Sequence, residues 1–142
     1  MKKFAFVVLV LLIGITFAID WSRTQGNDPE NVTRSVIRGL ECYEDRTGQI
    51  VSVKWGYRSY DEQVEIRDRI FRENQHSGYY QNNRGEVRSS SGALMAAAPG
   101  SSQHERGNAV DLFNHNAINV RVMESCGGRR PDVRNEPWHW EF

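Results

Sequence analysis

The sequence predicts an α+β fold, a single domain with a mainly antiparallel sheet and flanking helices. Helical and strand-like patterns are intermixed along the chain, without the regular strand–helix–strand alternation that produces a parallel sheet. The chain has 142 residues, which suits one ordinary domain with one hydrophobic core. We therefore expect a single functional site rather than two catalytic domains.

The first residues have the features of an export signal. Lys2 and Lys3 precede an uncharged, mostly apolar run from residue 4 to residue 18, which is short for a membrane span. Thr16-Phe17-Ala18 is an acceptable cleavage site, so we predict a signal peptide over residues 1–18 and the mature domain over residues 19–142. An uncleaved signal anchor is the alternative. In either case the domain is exported, to the periplasm or the extracellular space.

The charge balance argues against nucleic-acid binding, and the cysteine content predicts a disulfide. The chain carries 18 basic and 18 acidic residues, and loss of the leader removes two of the basic ones. Such a balance provides no field for nonspecific nucleic-acid binding. Cys42 and Cys126 are an even pair in an exported chain, and neither has a metal-ligand spacing, so we predict one disulfide. Two separate thiols are the alternative.

The first half of the chain contains two predicted helices with a strand between them. Asp28-Pro29-Glu30 has the N-cap, first-position proline and first-turn acid of a helix start, and the helix should end near Gly48. A β-rich run follows over Gln49–Trp55. Ser59 and Glu62 form a capping-box pattern, which predicts that a second helix begins there.

The second half alternates between polar and apolar segments. Residues 76–100 are rich in small and polar residues and predict a long surface loop. Ala109–Phe113 is a short apolar strand, residues 117–123 have helical character, and Pro137–Phe142 reads as a closing strand. Alternation in that last strand should bury Trp138, Trp140 and Phe142 and turn His139 to the opposite face.

Two clusters carry residues suited to metal chemistry. His104 and Asp111 flank a glycine turn that leads into the Ala109–Phe113 strand, and both side chains are good zinc donors. An HExxH zinc helix is excluded because position 108 is Asn. The second cluster, Glu136-Pro137-Trp138-His139, offers another imidazole and an acid. Strand alternation alone would turn Glu136 away from His139, but a bend at the proline could return it.

Three motifs in order resemble those of the VanY-type zinc D-alanyl-D-alanine carboxypeptidases and of related phage peptidoglycan endopeptidases. They are Gly56-Tyr57-Arg58-Ser59-Tyr60 with Gln63, Ser102-x-His104-x-x-Gly107-x-Ala109-x-Asp111, and Glu136-Pro137-Trp138-His139. The resemblance spans residues 48–142 and implies the fold that hedgehog signalling domains share with D,D-peptidases.

The resemblance also implies a role for each matching residue. His104, Asp111 and His139 become ligands of one Zn²⁺ ion, with a fourth position left for water. Glu136 becomes the general base, and Arg58 steadies either the scissile carbonyl or the peptide carboxylate. Ser102 and Gln63 bind substrate or shape the cleft.

The implied function is hydrolysis of peptidoglycan stem peptides. The enzyme would be a D-Ala-D-Ala carboxypeptidase or a stem-peptide endopeptidase, in a bacterial or a phage role. The alternative from another class is a noncatalytic, zinc-stabilised module of the same fold that binds cell wall or protein, because fold alone does not establish activity. Membrane association is expected only if the leader stays uncleaved, and the sequence does not indicate an oligomeric state.

Overall fold

A computed structural model of the chain describes residues 18–26, 30–132 and 134–142. Residues 1–17 of the predicted signal peptide lie outside this range, as do Asp28 and Pro29 of the predicted first helix start. Within the described residues, no helix is long and apolar enough to cross a membrane.

Three α-helices and six short strands make up the described fold. The helices are α1 Arg34–Thr47, α2 Tyr60–Asn74 and α3 Val120–Ser125. The strands are β1 Val53–Trp55, β2 Tyr80–Gln81, β3 Val87–Arg88, β4 Leu94–Ala96, β5 Ala109–Leu112 and β6 His139–Glu141. Two 3-10 turns cover Gln75–Ser77 and His115–Ala117. The strands form two antiparallel sheets, in the orders β1-β5-β6 and β2-β3-β4, so the predicted α+β class is confirmed.

The hydrophobic core lies between the β1-β5-β6 sheet and the helices α1 and α3. Its buried residues are Val36, Leu40, Tyr43, Val51, Val53, Val110, Leu112, Ile118, Met123 and Trp140. The predicted disulfide is confirmed, because Cys42 of α1 is bonded to Cys126 at the end of α3. This bond ties together the two helices that cover the sheet.

Helix α1 begins later than the sequence predicts. Its N-cap is Thr33, and Glu30 lies in a turn outside the helix. The backbone N–H of Thr33 donates to the carbonyl of Gly107 at 2.8 Å, so this segment is fixed against the turn that follows His104. A tertiary contact has overridden the local helix-start signal. The predicted end is confirmed, because Gly48 caps the helix with a φ of 68°.

Helix α2 begins at the predicted capping box. The Ser59 hydroxyl accepts from the Glu62 backbone N–H at 3.2 Å, and the Glu62 carboxylate accepts from the Ser59 N–H at 2.9 Å. These two bonds satisfy N–H groups that a helix start would otherwise leave open. The box fixes the point at which the chain leaves β1 and enters α2, and therefore the position of Arg58 just before it.

The predicted long loop over residues 76–100 is wrong, because this segment contains the β2-β3-β4 sheet. Its strands have two or three residues each, too few to show a hydrophobic period. Tight turns connect them, with Gly85 N–H bonded to the Asn82 carbonyl and Gly92 N–H bonded to the Ser89 carbonyl. This small sheet packs beside α2, and β4 forms one wall of a cleft that opens at His104 and Asp111.

Candidate metal centre

Strands β5 and β6 bring two of the predicted ligands together. The two strands pair with Asp111 opposite His139, as the antiparallel register requires. Val110 and Leu112, which flank Asp111 along β5, point into the core. Strand alternation therefore turns the Asp111 carboxylate to the other face. His104 reaches the same face from the turn before β5. The structure therefore gathers three residues that are far apart in sequence.

The three donor atoms are spaced as zinc ligands would be. His104 Nε2 lies 3.2 Å from His139 Nδ1 and 3.3 Å from Asp111 Oδ1, and His139 Nδ1 lies 2.9 Å from the same oxygen. Ligands about 2.0–2.1 Å from a tetrahedral zinc ion are about 3.3 Å apart. Two imidazoles and one carboxylate also match the ligand types of catalytic zinc sites. The donor set therefore fits a zinc ion.

The ring proton of His104 is placed by its surroundings. Nδ1 lies 2.7 Å from the carbonyl oxygen of Gly56, which can only accept a hydrogen bond. Nδ1 therefore carries a proton, and Nε2, which faces Asp111 and His139, is the nitrogen available to a metal. His104 and Asp111 are both buried, so little water competes for these positions.

The charged and titratable groups of the site shift one another's pKa values. Burial would raise the pKa of Asp111, but the adjacent His104 and His139 outweigh it and hold that pKa well below its ordinary value. Burial would lower the pKa of His139, yet Asp111 and Glu136 raise it above the ordinary value. Asp111 is therefore an ionised carboxylate at neutral pH, the form that binds a cation.

Glu136 lies beside the three donors without belonging to them. It sits in the turn before β6, where its N–H donates to the Asp132 carbonyl at 2.9 Å and its own carbonyl accepts from the His139 N–H at 3.1 Å. This turn provides the bend at Pro137 that the sequence allows as a way to return Glu136 to the site. Glu136 lines the same cleft as the donors, and burial raises the pKa of its carboxyl. It is thus a carboxylate next to the site with no role as a donor in the cluster.

Arg58 is buried at the cleft, and its neighbours fix its direction. Its Nη1 donates to Gln63 Oε1 at 2.8 Å, and its guanidinium lies 5.1 Å from the centre of the Trp55 ring. Among the described residues, Nε of Arg58 has no hydrogen-bond partner. Burial lowers the pKa of Arg58, although an arginine remains charged at neutral pH. A buried cation with an unpaired donor is suited to bind an anionic or carbonyl oxygen.

Gln63 and Ser102 also line the cleft, but their polar groups are already engaged. Gln63 is 1% exposed, and its amide nitrogen donates to the Ala97 carbonyl at 2.8 Å while its oxygen accepts from Arg58. The Ser102 hydroxyl accepts from the backbone N–H of His104 at 3.3 Å. The contacts indicate that Gln63 orients Arg58 and that Ser102 orients the turn of His104.

Two residues of the site differ from the sequence expectation or were missed by it. Trp138 was expected to be buried, but it is 37% exposed and lines the cleft. The reason is that β6 begins at His139, so its alternation does not extend back to Trp138; Trp140 is buried as predicted, and Phe142 is partly buried against the core. Glu141 was missed. It contacts His139, and its spacing of two residues from that histidine on a strand was the available signal.

The donor group opens onto a cleft of about 600 Å³. One wall comes from α2 and β4, and another from the turn that holds Asp132, Glu136 and Trp138. This volume lies in the range of ligand sites that hold a small organic molecule or a short peptide. A cleft large enough for such a ligand therefore leads to the candidate metal centre.

A protein-family model described as "VanY: D-alanyl-D-alanine carboxypeptidase" matches residues 35–133. The chain belongs to this family. The matched range includes Arg58, His104 and Asp111 and ends before Glu136 and His139. Membership in the VanY family confirms the predicted class of enzyme, a peptidase of the D-alanyl-D-alanine carboxypeptidase type. A search of the curated proteins found no match.

Two solved structures share the VanY-like fold. One is a vancomycin-resistance D,D-pentapeptidase VanY mutant in complex with Zn(II), with a TM-score of 0.55 and 23% identity. The match covers 77% of this chain and 70% of that one. The other is the LdcB LD-carboxypeptidase, with a TM-score of 0.56 and 19% identity, covering 90% of this chain and 66% of that one. At these identities the likeness confirms the predicted D,D-peptidase-like fold.

Proposed function

We propose that this chain is a zinc-dependent peptidase that hydrolyses peptide bonds in peptidoglycan stem peptides, with zinc held by His104, Asp111 and His139. The observation that carries this proposal is the close spacing of three metal-donor atoms, from 2.9 to 3.3 Å apart, beside a peptide-sized cleft. The family match and the Zn(II) in the VanY neighbour support the same metal and substrate class.

Zinc in this position would lower the pKa of a bound water molecule to about 7 and polarise the scissile carbonyl. The protein's own part is proton transfer and orientation. Glu136 accepts a proton from the attacking water and delivers it to the amine nitrogen as the peptide C–N bond breaks. The half-buried position of Glu136, close to His139 and Asp111, supports this role of general base.

Arg58 completes the proposed site as an anion binder. Its charged, buried guanidinium, held by Gln63, would stabilise the negative charge that develops on the carbonyl oxygen, or bind the terminal carboxylate of a carboxypeptidase substrate. Gln63 and Ser102 contribute through the residues they orient.

We expect Arg58→Ala to lower kcat/KM at least about 100-fold, by analogy with the loss of one oxyanion donor. Steady-state kinetics on a peptide ending in D-Ala-D-Ala would measure it, with Arg72→Ala, an exposed arginine of α2, as the matched control. A substrate amidated at its C-terminus separates the two roles: the Arg58→Ala penalty shrinks on that substrate if Arg58 binds the carboxylate. Unchanged kinetics would limit Arg58 to a structural role.

A noncatalytic, zinc-stabilised binding module is the other function that this fold permits. A purely structural zinc site has no need of a nonligand carboxylate beside it or of an open cleft. Glu136 and the 600 Å³ cleft favour the enzyme. Between enzymes, the family match favours a carboxypeptidase over an endopeptidase.

The proposed activity also requires a cellular setting outside the cytoplasm. A peptidase of peptidoglycan must reach the cell wall, which agrees with the predicted signal over residues 1–18 and the predicted export of residues 19–142. Attachment to the membrane would follow only from an uncleaved signal.

The test is removal and return of the metal. Purified protein is incubated with a D-Ala-D-Ala pentapeptide and with peptidoglycan, and the products are identified by mass. We expect chelation to abolish hydrolysis and stoichiometric Zn²⁺, but not Mg²⁺, to restore it, because two imidazoles and a carboxylate suit zinc. Loss of one terminal residue identifies a carboxypeptidase, and internal cleavage identifies an endopeptidase. Full activity in protein proven metal-free would overturn the mechanism.

A further inference from the structure

We propose that Glu141 is the positioning residue of the metal centre: it accepts the Nε2–H of His139 and thereby leaves Nδ1 as the metal donor. The inference rests on the proposed zinc site and adds a residue outside its ligands. It explains which nitrogen of His139 faces the site and what holds the ring there.

The geometry of β6 brings the two side chains together. His139 and Glu141 are two residues apart on one strand and share a face. His139 Nε2 lies 3.4 Å from Glu141 Oε1, while Nδ1, on the other side of the ring, lies 2.9 Å from Asp111. Both side chains are 12% exposed, so water has little access to this contact. Once Nδ1 serves as the metal donor, the remaining ring proton lies on Nε2, where the Glu141 carboxylate can accept it.

Glu141 is itself held from the other side by Arg129. The backbones of these residues exchange two hydrogen bonds of 2.8 Å, and Arg129 Nη2 contacts Glu141 Oε2. One carboxylate oxygen is thus directed at the arginine and the other at the histidine. The Arg129 side chain is 70% exposed, so a surface residue fixes the carboxylate that orients His139.

The two histidines of the site are oriented by different groups. His104 donates to the neutral backbone carbonyl of Gly56, whereas His139 faces a carboxylate. A carboxylate acceptor raises the basicity of the ligating nitrogen as well as fixing the ring, and outer partners of this kind contribute about 10- to 100-fold in metal affinity. Only the partner of His139 is a side chain, so only that contact is open to substitution.

The experiment compares zinc affinity in wild type, Glu141→Ala, Glu141→Gln and Arg129→Ala by competition with a chromophoric chelator. We expect Glu141→Ala to weaken zinc binding about 10- to 100-fold. Glu141→Gln keeps an oxygen that can accept the Nε2–H, so its zinc affinity should fall less than that of Glu141→Ala. The zinc affinity of Arg129→Ala should lie between those of wild type and Glu141→Ala. Glu124→Gln, an exposed acid of α3, is the control and should bind as wild type does.

A second measurement reads the ring directly. Proton–nitrogen correlation spectra of histidine-labelled, metal-free protein, at a pH at which the His139 ring carries both protons, should show an Nε2–H that exchanges slowly with water in wild type and rapidly in Glu141→Ala. A folded Glu141→Ala protein with wild-type zinc affinity would overturn the proposal, as would an Nε2–H that exchanges equally fast in the two proteins. If wild type binds no zinc, the metal site itself fails, and the spectra still decide whether Glu141 holds the ring.

Discussion

Glu136→Gln is expected to lower kcat about 100- to 10,000-fold while the protein keeps its zinc, because general acid–base groups contribute on this scale. Glutamine has nearly the same shape but cannot accept and release a proton. Glu136 is not among the three donor residues, so its loss should leave metal binding intact. Single-turnover hydrolysis of a D-Ala-D-Ala peptide and the zinc-to-protein ratio together measure the two effects.

The outcomes separate the alternative roles of this carboxylate. Loss of zinc together with activity would make Glu136 a ligand. Wild-type kcat with zinc bound would remove it from the chemistry. Glu124→Gln, which changes the same functional group on the exposed side of α3, controls for loss of a negative charge and should be fully active.

The candidate metal centre could be predicted from sequence in part because its geometry follows from local rules. Strand alternation in β5 turns Asp111 away from Val110 and Leu112, and a strand at the chain's last residues turns His139 away from Trp140. The pairing of these two strands, and the return of His104 onto the same face, came from resemblance to the family rather than from any pattern in this chain.

The features that were missed depend on contacts between distant segments or on very short elements. The start of α1 is set by a hydrogen bond from Thr33 to Gly107, two residues so far apart along the chain that no local window of sequence contains both. The strands β2 and β3 have two residues each, which is below the length at which a period can be seen. Trp138 lies one residue before β6, and the predicted strand began two residues too early, at Pro137, so strand alternation was wrongly applied to Trp138.

Replacing Cys42 and Cys126 together with alanine is expected to lower the free energy of unfolding by about 4 to 5 kcal/mol. The two cysteines are 84 residues apart, and a crosslink that closes a loop of this length removes about that much chain entropy from the unfolded state. This loss would be a large fraction of the free energy of unfolding of an ordinary domain. Guanidinium denaturation of wild type and the double variant would measure the difference.

The disulfide lies near the contact between α1 and the end of the β1-β5-β6 sheet. A Cβ at Gly39 of α1 would overlap the ring of Phe142, so the helix and the residue after β6 are in close contact. Cys42 lies one turn further along α1, and Cys126 ends α3, so the bond joins the two helices that contribute to the core on which Trp140 of β6 packs. Reduction of wild type should reproduce the loss of stability, and the same reductant should leave the double variant unchanged. A double variant within about 1 kcal/mol of wild type would show that packing of α1 and α3 is sufficient without the bond.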